Sequence, residues 1–258
     1  MSDLWRYAAS LWSWLVLIAC VVILFPVMLV LRVITSPFDR GRYLVGRIFR
    51  YIGVIVEALN PLWDFRRSGV PITDPRRPYV VVSNHESFAD ILLISHLPWE
   101  MKWLSKAELF RIPVLGWMMW LAGDIPIRRG VGPSALEAIE QCKAVLGNRV
   151  SVMIFPEGTR SATGRMLPFK DGAFRLAIEA GVPVLPLVVA GTGTALPKRG
   201  WKMGRAVAEV RVLEPVTTDG LTPADAASLR NRVRRMIEDA RATMTPAAAA
   251  PAATDRPA

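Results

Sequence analysis

Val150-Ser151-Val152-Met153-Ile154-Phe155-Pro156-Glu157-Gly158-Thr159-Arg160-Ser161 reads as a buried strand running straight into a polar turn. Residues 150–155 are apolar except for one serine, and such a short run bounded by turn chemistry fits a strand covered on both faces. Working outward, further strand candidates are 79–82, 101–104, 125–127, 184–189 and 207–213, several of them rich in Val and Ile. Helical patterns lie between and after them, at 87–95, 113–121, 134–146, 171–180 and 224–244. The pattern at 171–180 starts on Asp171 and has Gly181 just past its end, the residue type that stops a helix. This alternation predicts an α/β fold with a largely parallel sheet flanked by helices. Functional residues are then expected in loops at the carboxyl ends of the strands.

The 258 residues carry 32 Lys+Arg against 22 Asp+Glu, a net charge of +10, and 52% of them are hydrophobic. That composition excludes intrinsic disorder and low-complexity chains. Two cysteines, Cys20 and Cys142, exclude a disulfide framework and a Cys-rich zinc site, and both read as reduced thiols. Residues 8–31 hold no charged side chain between Arg6 and Arg32, long enough to cross a hydrocarbon core of about 30 Å. The run is too long for the apolar part of a cleaved signal peptide, so an uncleaved anchor is expected. Pro26 inside it leaves a partly inserted helix or a helical hairpin as the alternative. Arg32, Arg40, Arg42, Arg47 and Arg50 follow against Asp39 alone, which places this flank and the domain after it on the cytoplasmic side of the membrane. Residues 43–59 read as an amphipathic segment on an anionic leaflet, its arginines among the headgroups, or as a helix capping the domain. The expected organisation is an anchor and interfacial segment over 1–78, a catalytic domain over 79–244 and a disordered Ala/Pro tail over 245–258.

Chemistry-bearing residues gather after three of the strands. After 79–82 comes Ser83-Asn84-His85-Glu86-Ser87-Phe88-Ala89-Asp90. A histidine at a strand end with a carboxylate five residues on fits a general base and the group that orients it. Five residues of helix turn through about 500°, so the two meet only if His85 precedes the helix and Asp90 reaches back. The blander alternative is a satisfied histidine beside a solvated aspartate. After 125–127 come Arg128 and Arg129. A guanidinium here would grip a phosphate or carboxylate, and strand alternation admits only one of the two to a shared pocket. In the opening stretch, Gly158 lets a ligand approach the backbone, while Thr159 and Arg160 offer a hydroxyl and a fixed cation. Gly181-Val182-Pro183-Val184-Leu185-Pro186 reads as a core strand with an apolar channel wall as the alternative, Gly191-Thr192-Gly193 as a plain turn, and His96 as structural.

Taken in order, Asn84-His85-x4-Asp90, Ile125-Pro126-Ile127-x-Arg129, Phe155-Pro156-Glu157-Gly158-Thr159-Arg160-Ser161 and Val182-Pro183-x-x-Pro186 resemble the glycerolipid acyltransferase family, in particular its 1-acyl-glycerol-3-phosphate acyltransferases, across residues 79–190. Arg128 departs from the pattern, in which that position is often acidic. The resemblance implies transfer of a fatty acyl group from a thioester donor, acyl-CoA or acyl-carrier protein, to the free hydroxyl of a lysophospholipid acceptor. It implies His85 as base with Asp90 as its partner. Arg129, Glu157, Gly158, Thr159 and Arg160, with Lys106, are assigned to the acceptor phosphate. No metal or other cofactor is expected, the partners are membrane lipids and the two substrates, and no nucleic acid is among them. Three rivals stand beside this: the same chemistry on glycerol 3-phosphate or a lyso-aminolipid, a membrane-attached hydrolase or phosphatase using His85, and a non-enzymatic basic binder.

Overall fold

The computed structural model describes residues 3–161, 164–197 and 200–244, so the tail expected over 245–258 lies outside the described residues. Two helices open the chain, α1 (Asp3–Thr35) and α2 (Tyr43–Ala58). Then follow β1 (Trp63–Gly69), β2 (Val80–Ser83), α3 (Ala89–Ile94), β3 (Met101–Lys106), α4 (Leu115–Ala122), β4 (Ile125–Ile127), α5 (Gly132–Gly147), β5 (Ser151–Ile154), α6 (Gly172–Ala180), β6 (Val184–Ala190), β7 (Ala206–Val212) and α7 (Ala226–Thr243). The strands form one sheet in the order β1-β7-β6-β2-β5-β3-β4. β6, β2, β5, β3 and β4 run parallel, β7 is antiparallel to β6, and β1 is parallel to β7. Gly181 ends α6 at φ 62, the left-handed conformation that glycine adopts without steric cost.

Both faces of the sheet are covered, which is why its central strands are continuously apolar. Val80, Val82, Val152 and Ile154 pack with Cys142 of α5, Phe174 of α6 and Val233 of α7. Val81 and Met153 point the other way, into a cluster with Leu93 and Ile94 of α3 and Trp99. This alternation is the pleat of the strands made visible as two cores.

Strand β1 is the element missing from the sequence reading. Trp-Asp-Phe-Arg-Arg-Ser-Gly has no buried alternation because it is an edge strand that pairs with β7 alone. It brings residues 63–69 into a sheet expected to begin at residue 79. The amphipathic segment also differs from the headgroup reading. In α2, Arg47 donates to the carbonyls of Leu97 (2.8 Å) and Trp99 (3.3 Å). Arg50 is buried and pairs with Asp124 and Glu100. These guanidinia turn inward because buried carboxylates and carbonyl ends await them, so α2 caps the domain. Lys102 completes the cluster, its Nζ 3.0 Å from Glu100 and 2.8 Å from the Arg42 carbonyl. Asp124, at the entry to β4, also accepts the Trp103 amide at 3.0 Å. The strand that leads to Arg128 and Arg129 is thereby tied to α2.

Helix α1 spans 33 residues and is long and apolar enough to cross a membrane by length and composition. One stripe of it is occupied by protein, running Ala9, Ser13, Val16, Cys20, Met28, Thr35. Trp12 donates to the Leu59 carbonyl and Trp14 to that of Trp201, each at 2.9 Å, while Ser10 accepts the Met203 amide at 2.9 Å. The opposite face leaves Leu4, Leu11, Leu15, Ile18, Val22, Ile23 and Val30 exposed.

Candidate active site

The loops after β2, β5 and β6 lie side by side, because these three strands are neighbours and parallel. Ligand sites in open α/β sheets form at such carboxyl ends. Helix α3 starts only at Ala89, so His85 precedes it and Asp90 sits in its first turn, able to reach back. His85 Nδ1 lies 2.7 Å from Asp90 Oδ2. The same oxygen accepts the amides of Glu86 (2.7 Å) and Ser87 (3.0 Å), and Oδ1 accepts the Thr192 hydroxyl. Asp90 is fully buried, and its Oδ2 already accepts from two backbone amides that can only donate. Nδ1 therefore carries the imidazole proton and donates it, a tautomer assigned from the hydrogen-bond network. Nε2 has no hydrogen-bond partner among the described residues. The ring is held flat against Phe155, centroids 3.8 Å apart at 13°.

Further bonds lock the loops to one another. Asn84 acts as an extra rung of the sheet, giving Nδ2–H to the Val189 carbonyl at 2.8 Å and accepting its amide at 2.9 Å. Ser161 donates its amide to the His85 carbonyl at 3.0 Å. Glu157, expected at the acceptor phosphate, is buried and spends both oxygens on backbone. Oε1 accepts the His85 amide (2.8 Å) and Oε2 that of Leu167 (2.9 Å). Burial pushes its carboxyl above the ordinary value, against the pull of those two amides. Its place in this structure is under His85, as a brace between loops. Glu86 makes a comparable link: it pairs with Arg241 of α7 at 2.5 Å, and Arg241 also donates to the Gly164 carbonyl at 2.7 Å.

Beside this cluster an apolar cavity of about 510 Å³ opens between β4, β5, α5 and α6. Leu104, Ala138, Cys142, Ile154 and Leu176 line it, with Phe155 shared between its wall and the His85 ring. Burial pushes the Cys142 thiol up to about 12, so it lines the cavity as an inert apolar group. Arg128 and Arg129 both reach this cavity, contrary to the one-arginine expectation. Strand β4 ends at Ile127, so neither arginine is bound by strand alternation. Partial burial draws Arg129 down from its usual pKa, and Glu108 opposes that shift.

Of the other predicted site residues, Gly158 lines the cavity at φ 73, Thr159 is exposed and Arg160 is half-buried. Lys106, at the end of β3, pairs with Glu108 at 3.4 Å and does not line the cavity. The segment 182–188 is core, with β6 buried at every position. His96 is structural, holding Glu57 through Nε2 at 3.2 Å and the Leu92 carbonyl through Nδ1 at 3.0 Å. Thr192 and Lys170 were not foreseen. The only signal for Thr192 was a hydroxyl between two glycines after a strand, and for Lys170 a cation just before a helix.

The arrangement is an α/β domain with a carboxylate-held histidine beside an apolar cavity that three cations line. The acyltransferase family model matches residues 66–190. The human 1-acyl-sn-glycerol-3-phosphate acyltransferase alpha is 43% identical over 165 residues, covering 63% of this chain and 58% of that protein. The 1-acyl-sn-glycerol-3-phosphate acyltransferase of Saccharomyces cerevisiae is 33% identical over 168 residues, covering 64% and 55%. The crystal structure of a 1-acyl-sn-glycerophosphate acyltransferase from Thermotoga maritima superposes with a TM-score of 0.78 at 26% identity, covering 95% of this chain and all of that one. Over the stretch that holds His85, Asp90 and the 155–161 turn, the chain is similar to the acyltransferase family. It spans a little over half the length of the curated relatives it matches.

Proposed function

We propose that this protein moves a fatty acyl group from a thioester, acyl-CoA or acyl-carrier protein, to the sn-2 hydroxyl of 1-acyl-glycerol 3-phosphate, giving phosphatidic acid. The observation that carries the reading is the 2.7 Å His85–Asp90 contact, which leaves Nε2 free beside an apolar cavity. An alcohol is a poor nucleophile near neutral pH. His85 Nε2 takes its proton as the oxygen attacks the thioester carbonyl, and Asp90 stabilises the imidazolium that forms. The tetrahedral intermediate then collapses, the carbon–sulfur bond breaks, and His85 can return the proton to the thiolate. No acyl-enzyme is needed. Help of this kind is worth about 10²–10⁴ in rate. The cavity suits a hydrocarbon chain, and the arginines at its mouth suit an anionic headgroup.

The same reading places the protein on the membrane, with the catalytic domain facing the cytoplasm. Docking along nearly its whole length keeps α1 beside a water-exposed domain, and its bare apolar face is free for acyl chains. That arrangement favours immersion in one leaflet over a lone spanning helix, so substrates and product need not leave the bilayer.

The test is a donor-by-acceptor matrix on detergent-purified protein, read by product mass. Phosphatidic acid should form from 1-acyl-glycerol 3-phosphate and at least one acyl thioester, and His85→Ala should abolish it. Near-normal turnover by His85→Ala would remove the base from the mechanism. Release of free fatty acid without an acceptor would point to a hydrolase.

A further inference from the structure

The mouth of the cavity carries more positive charge than its surroundings compensate. Arg128, Arg129 and Lys170 line it together, and none of the three forms an ion pair among the described residues. The carboxylates nearby are committed elsewhere. Asp171, next to Lys170, turns to Arg230 of α7 at 2.7 Å. Glu108, the carboxylate nearest Arg129 in effect, pairs with Lys106. Glu157 is buried and accepts two backbone amides, one on each oxygen.

The placement of these cations is built rather than incidental. The Lys170 amide donates to the Pro156 carbonyl at 2.9 Å, which fixes its backbone beside the Pro-Glu-Gly turn. Its Nζ comes within 3.1 Å of the point a Cβ on Gly158 would occupy, so the amine lies over the bare backbone of that glycine. The Arg128 amide is held by the Ser134 hydroxyl at 3.0 Å, in the first turn of α5. Two helix starts, Gly132 of α5 and Gly172 of α6, also line the cavity, and neither helix has a side-chain cap. The starts of both helices carry partial positive charge, which adds to that of the cations.

A phosphate monoester carries about 1.5 to 2 negative charges near pH 7, whereas a diester carries about one. Three uncompensated cations are more than a single negative charge can balance. We propose that Arg128 and Lys170 join Arg129 in a rim that reads headgroup charge, selecting single-chain lipids that end in a phosphate monoester over those that end in a diester. This rests on the acceptor reading above and adds Arg128 and Lys170 to the residues that the resemblance assigns to the acceptor phosphate.

The experiment uses full-length detergent-purified protein as wild type, Lys170→Gln, Arg128→Gln and the double variant. Arg175→Gln, which loses an exposed cation on α6, serves as the charge control. One arm compares kcat/KM for 1-acyl-glycerol 3-phosphate with that for 1-acyl-glycerophosphoglycerol. The other compares binding of dodecyl phosphate with that of its methyl diester. Each single variant should lower the monoester-to-diester ratio about tenfold, with the loss falling on KM, because a hydrogen bond to a charged group is worth about that much. Arg175→Gln should leave the ratio where it was. An unchanged ratio in the double variant, or an equal shift in Arg175→Gln, overturns the proposal. If no lysophospholipid is acylated, yet dodecyl phosphate is preferred and the preference is lost in Lys170→Gln, acyl transfer falls and the charge-reading rim stands.

Discussion

Two neighbouring regions of this domain handle polarity in opposite ways. Around His85, the polar groups are bonded to one another. Asp90 collects two amides, an imidazole and a hydroxyl, Glu157 takes two amides, and Asn84 completes a sheet rung. At the cavity mouth, Arg128, Arg129 and Lys170 stand without ion-pair partners among the described residues. Saturation fixes geometry, because a buried donor or acceptor left unpaired costs about 1–3 kcal/mol and so holds each group to its partner. An unsaturated rim does the reverse: its exposed cations stay with water until an anion displaces it. Under the proposed function, the imidazole is set for one proton transfer and the rim for a ligand.

The sharpest way to break this contrast is Asp90→Asn. An amide can no longer serve Glu86, Ser87, Thr192 and the imidazole as an acceptor at once, and the wrong tautomer of His85 becomes favoured. Turnover should fall by about 10⁴-fold while the circular dichroism spectrum stays native. Retention of more than a tenth of the activity would mean that His85 does not depend on a fixed tautomer. Thr192→Val removes one donor from the same carboxylate with little change in shape. Its kcat should drop about tenfold with KM for both substrates unchanged, since the hydroxyl belongs to the base and not to the rim. A KM effect of equal size would erase the boundary between the two regions.

The smallest effect concerns Glu86, at the edge of the saturated cluster. Burial holds its carboxyl above the ordinary value of 4.5, and Arg241 offsets this only in part. The folded protein thus binds this proton more tightly than the unfolded chain does. The resulting contribution to stability is present below pH 4.5 and is lost as pH rises through the raised folded value. The stability difference between wild type and Glu86→Gln should therefore decline with rising pH across that window, followed by urea unfolding at successive pH values. A difference that stays flat would show that Arg241 compensates the charge completely.

Legibility in the sequence followed how local each feature is. Strands β2 to β7 were readable because apolar runs and their bounding turns are contiguous, and β4 was placed residue for residue at 125–127. Strand β1 was not, since an edge strand with one buried residue among seven shows no alternation. His85 and Asp90 were found because five residues separate them. Thr192 meets the same carboxylate across 102 positions, a distance at which no spacing rule operates. Strand alternation admitted only one of Arg128 and Arg129 to a shared pocket and the resemblance chose Arg129, but that rule holds within a strand and lapses one residue past its end.

What the sequence by itself determined was the inventory and its rough order: an apolar N-terminal run, alternating strands and helices, two histidines of which one precedes a helix, and a surplus of cations. Only the tertiary structure decided which charges cancel. Arg50 of α2 found Asp124 and Glu100 inside the domain, Asp171 found Arg230, and the Lys170 amine found no carboxylate among the described residues. Periodicity is a property of neighbours along the chain. Charge compensation depends on distance through space, and that distance is set by the order in which the strands pair.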